Sequence, residues 1–112
     1  MLLYNIIVVY IYVEPLGATS SGIVLPAAVT IQLNCTADDY TFPLWNLQGQ
    51  RVDHIPQSRL EELGVTLFPT YTVDSRINSR MHIDGSSTIH NMTLQCRIRG
   101  EIVYSTTLLY QG

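Results

Sequence analysis

Charge is scarce in this chain, and lysine is missing altogether. Of its 112 residues only 13% are charged, the formal net charge is −3, and the six basic residues are arginines scattered between Arg51 and Arg99. No basic stripe exists to neutralise phosphates, so nucleic acid is excluded as a partner. Long apolar runs are missing too: the longest, Met1 to Val13, falls short of the roughly 20 residues that a membrane-spanning helix needs. Any membrane anchor is therefore expected outside these residues. There is no repeat, no low-complexity tract, no glycine-rich phosphate loop and no serine in a Gly-x-Ser-x-Gly elbow. His54, His82 and His90 share no strand face at metal-ligand spacing, and Glu61-Glu62 is an adjacent pair that cannot flank one substrate bond. Catalysis, a metal site and a cofactor are accordingly not expected.

What is present is alternation. In Val29-Thr30-Ile31-Gln32-Leu33-Asn34-Cys35 the apolar residues and the cysteine fall on one face and the polar residues on the other. That is period two, the mark of a half-buried strand. The same pattern places Met92, Leu94, Cys96 and Ile98 together, opposite Asn91, Thr93, Gln95 and Arg97. Both cysteines thus point into a core, either as a disulfide or as a pair of inert thiols. Their matching phases, and the glycosylation sequon beside each, favour the bond. Closing a loop of this length stabilises by about 4 kcal/mol in the chain-entropy account. Such a bond persists only in an oxidising compartment, so a secreted or cell-surface protein is expected.

At 46% apolar residues, one domain with a real core is expected over residues 21–112. Residues 1–20 read as a candidate signal peptide, with a cut before Ser21, or else Tyr10-Ile11-Tyr12-Val13 is itself the first strand. Ile23 to Pro26 suits a short edge strand, because proline cannot donate to a central ladder. Further strands are expected at Phe42–Gln48, from Arg51, at Val65–Phe68 and Tyr71–Val73 across a Pro69-Thr70 break, at Arg80–Ile83, and from Ile102 to Tyr110 after a tight turn at Arg99-Gly100-Glu101. His54 to Gly64 is expected to form no more than one helical turn over the sheet edge. The whole reads as an all-β sandwich.

The only tryptophan, Trp45, stands ten positions after Cys35, and Cys96 stands 51 beyond it. This Cys…Trp…Cys frame resembles an immunoglobulin-like domain, with Cys35 on strand B, Trp45 on strand C and Cys96 on strand F. The ending Thr107-Leu108-Leu109-Tyr110-Gln111-Gly112 is similar to strand G of invertebrate-type domains, where it leads straight into the next domain. The resemblance covers residues 23–112 and implies a two-sheet antiparallel sandwich, with Leu33 and Leu94 in the core beside Trp45 and an inter-sheet disulfide. It departs upstream of Cys96. The pattern Asp-x-Gly/Ala-x-Tyr-x-Cys meets His90, Met92 and Leu94 instead, so the tyrosine corner is absent. An intermediate-set-like or divergent variable-like domain is implied.

Asn34-Cys35-Thr36 and Asn91-Met92-Thr93 fit the N-glycosylation pattern, and their phase opposite the core implies that both asparagines face solvent. For binding, the outer residues Leu44, Asn46, Gln48, Gln95, Arg97 and Arg99 are one candidate, since arginine is enriched at interface centres. The second is Asp38, Asp39 and Tyr40 with the Arg99–Glu101 turn, which the resemblance implies lie together at one loop end. The expected function is a secreted or cell-surface binding module for adhesion or recognition, whose partner is a protein ligand or another immunoglobulin-like domain. A structural spacer within an extracellular array is the alternative.

Overall fold

Alternating sequence becomes two facing sheets. The computed structural model describes residues 22–112 in full and, before them, the backbone of Val8–Val13 and Ala18–Thr19. The described strands are β1 (Val8–Val13), β2 (Ala18–Thr19), β3 (Ile23–Pro26), β4 (Thr30–Ala37), β5 (Leu44–Leu47), β6 (Gln50–Arg51), β7 (Val65–Leu67), β8 (Tyr71–Val73), β9 (Arg76–Asp84), β10 (Thr93–Ile98) and β11 (Glu101–Gln111), with one α-helix, α1 (Gln57–Leu63). One sheet runs β1-β4-β9-β7, with β8 also paired to β9; the other runs β2-β11-β10-β5-β6, with β3 also paired to β11. Pairs within the body of each sheet are antiparallel, whereas β1 joins β4, and β2 and β3 join β11, in parallel. The N-terminal part of the chain therefore edges both sheets. β1 covers the stretch proposed as a first strand; the cleavage site expected before Ser21 lies outside the described residues.

A four-residue layer ties the sheets together. Cys35 on β4 lies opposite Ser79 on β9, and Cys96 on β10 lies opposite Trp45 on β5. Cys35 and Cys96 are joined by a disulfide with a Cα–Cα distance of 6.6 Å. Beside it the Trp45 indole N–H donates to the Ser79 carbonyl at 3.2 Å. One covalent link and one hydrogen bond thus cross the same layer side by side. Leu33, Leu94, Met81 and Leu25 are wholly buried around it, in line with the period-two reading. Strand order, inter-sheet bond and buried tryptophan are those of an immunoglobulin-like sandwich, with β4, β9, β7 and β8 in the places of strands B, E and D, and β3, β11, β10, β5 and β6 in those of A′, G, F, C and C′.

Without a tyrosine corner, the connection from β9 to β10 is anchored differently. A 3₁₀ turn at Ser87–Ile89 buries Ile89 completely. The Asn91 N–H then donates to the Leu108 carbonyl at 2.7 Å, and Leu108 N–H returns to the Met92 carbonyl at 2.9 Å. His90 Nδ1 accepts the Tyr110 N–H at 2.9 Å. Two backbone bonds and the His90 imidazole thus tie this connection to β11.

The segment expected to make a single turn forms α1 instead. Ile55, Leu60 and Leu63 are buried, and the i, i+3 spacing of the two leucines turns one helical face to the core. Gly64, left-handed at φ 73°, ends it by donating its N–H to the Leu60 and Glu61 carbonyls.

Candidate functional site

Three connections meet at one end of the sandwich: Asp38–Pro43 between β4 and β5, the β8–β9 turn, and the β10–β11 turn. Both turns are two-residue hairpins, closed by the pairs Val73↔Arg76 and Ile98↔Glu101. Asp74 and Ser75, like Arg99 and Gly100, have positive φ, as the hairpin turn matching strand twist requires. Asp39 and Tyr40 are also left-handed, at φ 55° and 53°. A bulky aromatic rarely adopts that conformation. Here the Tyr40 N–H bonds the Ser75 carbonyl at 2.9 Å and Thr41 N–H bonds the Asp38 carbonyl at 3.1 Å. Side chains add an Arg76–Asp38 pair at 3.0 Å and an Arg99 Nη2–Thr41 Oγ1 bond at 3.2 Å, with Asp39 3.9 Å from Arg99. These pairs are exposed and fix orientation more than they stabilise.

The backbone at this end is held, but its large side chains are not covered. Tyr40 is 68% exposed, Phe42 59% and Val73 53%. Phe42 also forms the lip of a cleft of about 410 Å³ on the flank between β5–β6 and the broken β7–β8 edge, with Leu44, Trp45, Leu67 and Phe68 in its walls. At the cleft mouth Arg51 grips Asp53 through Nε at 3.1 Å and Nη2 at 2.6 Å. Those hydrogen bonds hold the Asp53 carboxyl below the usual carboxylate range. The arrangement offers an aromatic-rimmed depression edged by paired charges, suited to taking an apolar side chain of a partner.

The sheet face read from the sequence is brought together only in part. Arg97 lies opposite Leu44, and Gln95 opposite Asn46, so these four do adjoin. Asn46, however, is buried rather than solvent-facing, because β5 is an interior strand flanked here by the longer side chains of Gln95 and Arg51. Arg97 reaches Gln95 at 3.4 Å, and Gln95 reaches Ser105 at 3.5 Å. Gln48 is not on the strand: it sits at φ 51° in the β5–β6 turn, where its Oε1 accepts the Thr93 N–H at 2.6 Å. Arg99 lies beyond the other end of β10 and belongs to the loop end. The six residues therefore divide between a half-buried patch and two distant turns.

The sequons differ as well. Asn91 is exposed at φ 65° on the turn before β10, not within the strand expected to begin there. Asn34 is half-buried, its Nδ2 donating to Asn78 Oδ1 at 3.2 Å and to Thr36 Oγ1 at 3.3 Å. The histidines are dispersed: His54 is exposed near Asp53, His90 serves β11, and His82 pairs with Gln32 at 2.8 Å. Burial, with Arg80 nearby, lowers the His82 pKa.

Sequence reading named the loop end but missed the cleft, Phe42 and Val73. The Pro43 after Phe42 and the Pro69-Thr70 break in β7–β8 were the available signals, since proline interrupts ladders and leaves a sheet edge open.

No family model matches the chain, and no curated protein matches it. Among solved structures it is similar to one titled "Tandem Ig repeats of Dlar", at 11% identity and a TM-score of 0.48, over 84% of this chain and 43% of that one. The chain thus spans less than half the length of that structure. What makes it an immunoglobulin-like sandwich is its own topology, with the Cys35–Cys96 bond and Trp45 at the centre.

Proposed function

We propose that the chain is an extracellular, non-catalytic recognition module that binds a protein partner through its loop end and the adjoining cleft. The exposure of Tyr40 and Phe42 on a hydrogen-bonded loop carries this reading. Aromatic residues that are rigidly presented, uncovered and bordered by arginines are the composition of binding hot spots. The inter-sheet disulfide supports an oxidising compartment. An apolar side chain from the partner enters the cleft beside Phe42, while Arg76 and Arg99 orient polar groups at the rim.

The test is a binding screen of the oxidised chain, displayed in multivalent form, against a panel of extracellular domains that includes the chain itself. Tyr40→Ala combined with Phe42→Ala is expected to abolish any interaction found, and Gln95→Ala combined with Arg97→Ala to leave it intact. The reverse result moves the site to the sheet face. Absence of any partner, itself included, favours the spacer.

A further inference from the structure

The outer face of the β4–β9 pair is a ladder of polar partners: Thr30 with Asp84, Gln32 with His82, Asn34 with Arg80, and Thr36 with Asn78. At its upper end the ladder opens into a shallow groove of about 610 Å³ whose lining includes Asn34, Thr36, Asn78, Tyr71 and Val73. Register sets these in rows. Thr36, Asn78 and Tyr71 are direct neighbours on β4, β9 and β8, and Asn34 stands two residues along β4 from Thr36. Neighbouring strands lie about 4.8 Å apart, so the row spans about two strand spacings, the breadth of one pyranose ring and its substituents.

The Asn34 amide has a fixed direction. Its Oδ1 is buried without a partner among the described residues, while Nδ2 points along the row to Asn78 Oδ1, which also takes the Thr36 hydroxyl at 2.7 Å. Nitrogen, the atom that carries sugar in a glycosylated sequon, is therefore bonded to two residues of the groove lining, Thr36 and Asn78. At the far side of the row Tyr71 is 43% exposed, with the Arg80 guanidinium over one face of its ring at 6.0 Å from the centroid, so a sugar would stack on the opposite face. An aromatic face beside hydroxyl and amide groups matches a pyranose, which has one apolar C–H face and a polar rim.

We propose that Asn34 is glycosylated and that its first N-acetylglucosamine lies down in this groove, stacked on Tyr71, instead of projecting from the domain. This rests on the extracellular reading above. Attachment forms a bond from Nδ2 to the anomeric carbon of the sugar while the anomeric C–O bond to a lipid-diphosphate donor breaks, and the amide gives up one proton. The sugar replaces the hydrogen that Nδ2 directs at Thr36 Oγ1, so Thr36 turns away and that bond is given up, while the remaining N–H keeps the bond to Asn78. The glycan then covers the β4–β9 face as far as Val73 and Arg76 at the β8–β9 turn, and leaves Tyr40 and Phe42 uncovered. Asn91, exposed on a turn, has no such seat in the described groove.

The experiment uses the full chain carrying Thr93→Ala, which deletes the second sequon, secreted from a eukaryotic host and trimmed to one N-acetylglucosamine. The same chain from an oxidising bacterial periplasm supplies the bare, disulfide-bonded form. The single sugar is expected to raise Tm by about 4 °C, and Tyr71→Ala to erase that increment in the same pair of preparations. A glycan on Asn34 with no increment, or one that survives Tyr71→Ala, overturns the proposal. If the parent chain is secreted with its disulfide and a glycan on Asn91 but none on Asn34, the groove proposal fails and the extracellular reading stands. A retained, reduced chain bare at both asparagines overturns both.

Discussion

The two ends of the sandwich are built to opposite rules. At the closed end, the turn after β3, helix α1 and the connection from β9 to β10 press on one another. Gly85 N–H bonds the Val29 carbonyl at 2.9 Å, Asp84 N–H bonds the Gly64 carbonyl at 2.8 Å, and Ile89 and Leu60 are buried beneath. At the open end, backbone hydrogen bonds hold left-handed residues in place, but Tyr40, Phe42 and Val73 stand in solvent. Both ends are ordered, and only one is covered. Order without coverage is what a binding surface needs, since a backbone already held loses little freedom on docking.

The central layer serves both ends, so its loss should be felt most widely. Replacing both cysteines, Cys35→Ala with Cys96→Ala, is expected to lower stability by about 4 kcal/mol, read from urea unfolding as a lower midpoint with a steeper slope, because the unfolded chain expands once the cross-link is gone. Gly85→Ala tests the closed end alone. A Cβ there runs into the Pro26 carbonyl oxygen, and overpacking of this kind costs about 1–3 kcal/mol. A cost below about 0.5 kcal/mol would show that the closed end yields as readily as the open one. Trp45→Phe keeps an aromatic in the middle but removes the indole hydrogen bond to the Ser79 carbonyl and leaves space where the larger ring stood, a loss of about 2 kcal/mol by the same measurement.

What the sequence disclosed follows the same division. The central layer was legible because period two leaves little freedom: once Ile31, Leu33 and Cys35 share a face, Asn34 and Gln32 must share the other. Helix α1 was shortened in the reading because Ile55, Leu60 and Leu63 are unevenly spaced, and only the leucines lie within the helix. Asn46 was misread because alternation tells which way a residue points, not how far its neighbours reach across an interior strand. Gln48 was counted as strand because nothing in a glutamine announces φ 51°; the Gly49 after it was the better signal of a hairpin turn. The cleft depends on how far apart two sheet edges stand, and no local pattern encodes that distance.

Between the ends, on the outer face, His82 offers a smaller effect. Its folded pKa is lowered below its ordinary value near 6.5, chiefly by burial. The unfolded chain therefore binds the proton first as pH falls. Stability present above about pH 6.5 should decline as pH drops below that value and level off, in this contribution, under the folded pKa. His82→Gln should flatten that part of the pH–stability curve measured by urea unfolding between pH 7 and 5, and an unchanged slope would assign it to other groups.

The smallest expected change in stability is the most informative for function. Tyr40→Ala and Phe42→Ala remove large side chains that already face water, so each should shift the unfolding free energy by no more than about 0.5 kcal/mol. Gly85→Ala at the other end introduces one methyl group and should cost several times more. If Phe42→Ala instead destabilises by 2 kcal/mol or more, Phe42 is part of the core that closes the cleft, and the open end is open only in appearance. If both substitutions are silent in stability and destructive to binding, the exposed aromatics are retained for contact, because nothing in the folding of the chain requires them.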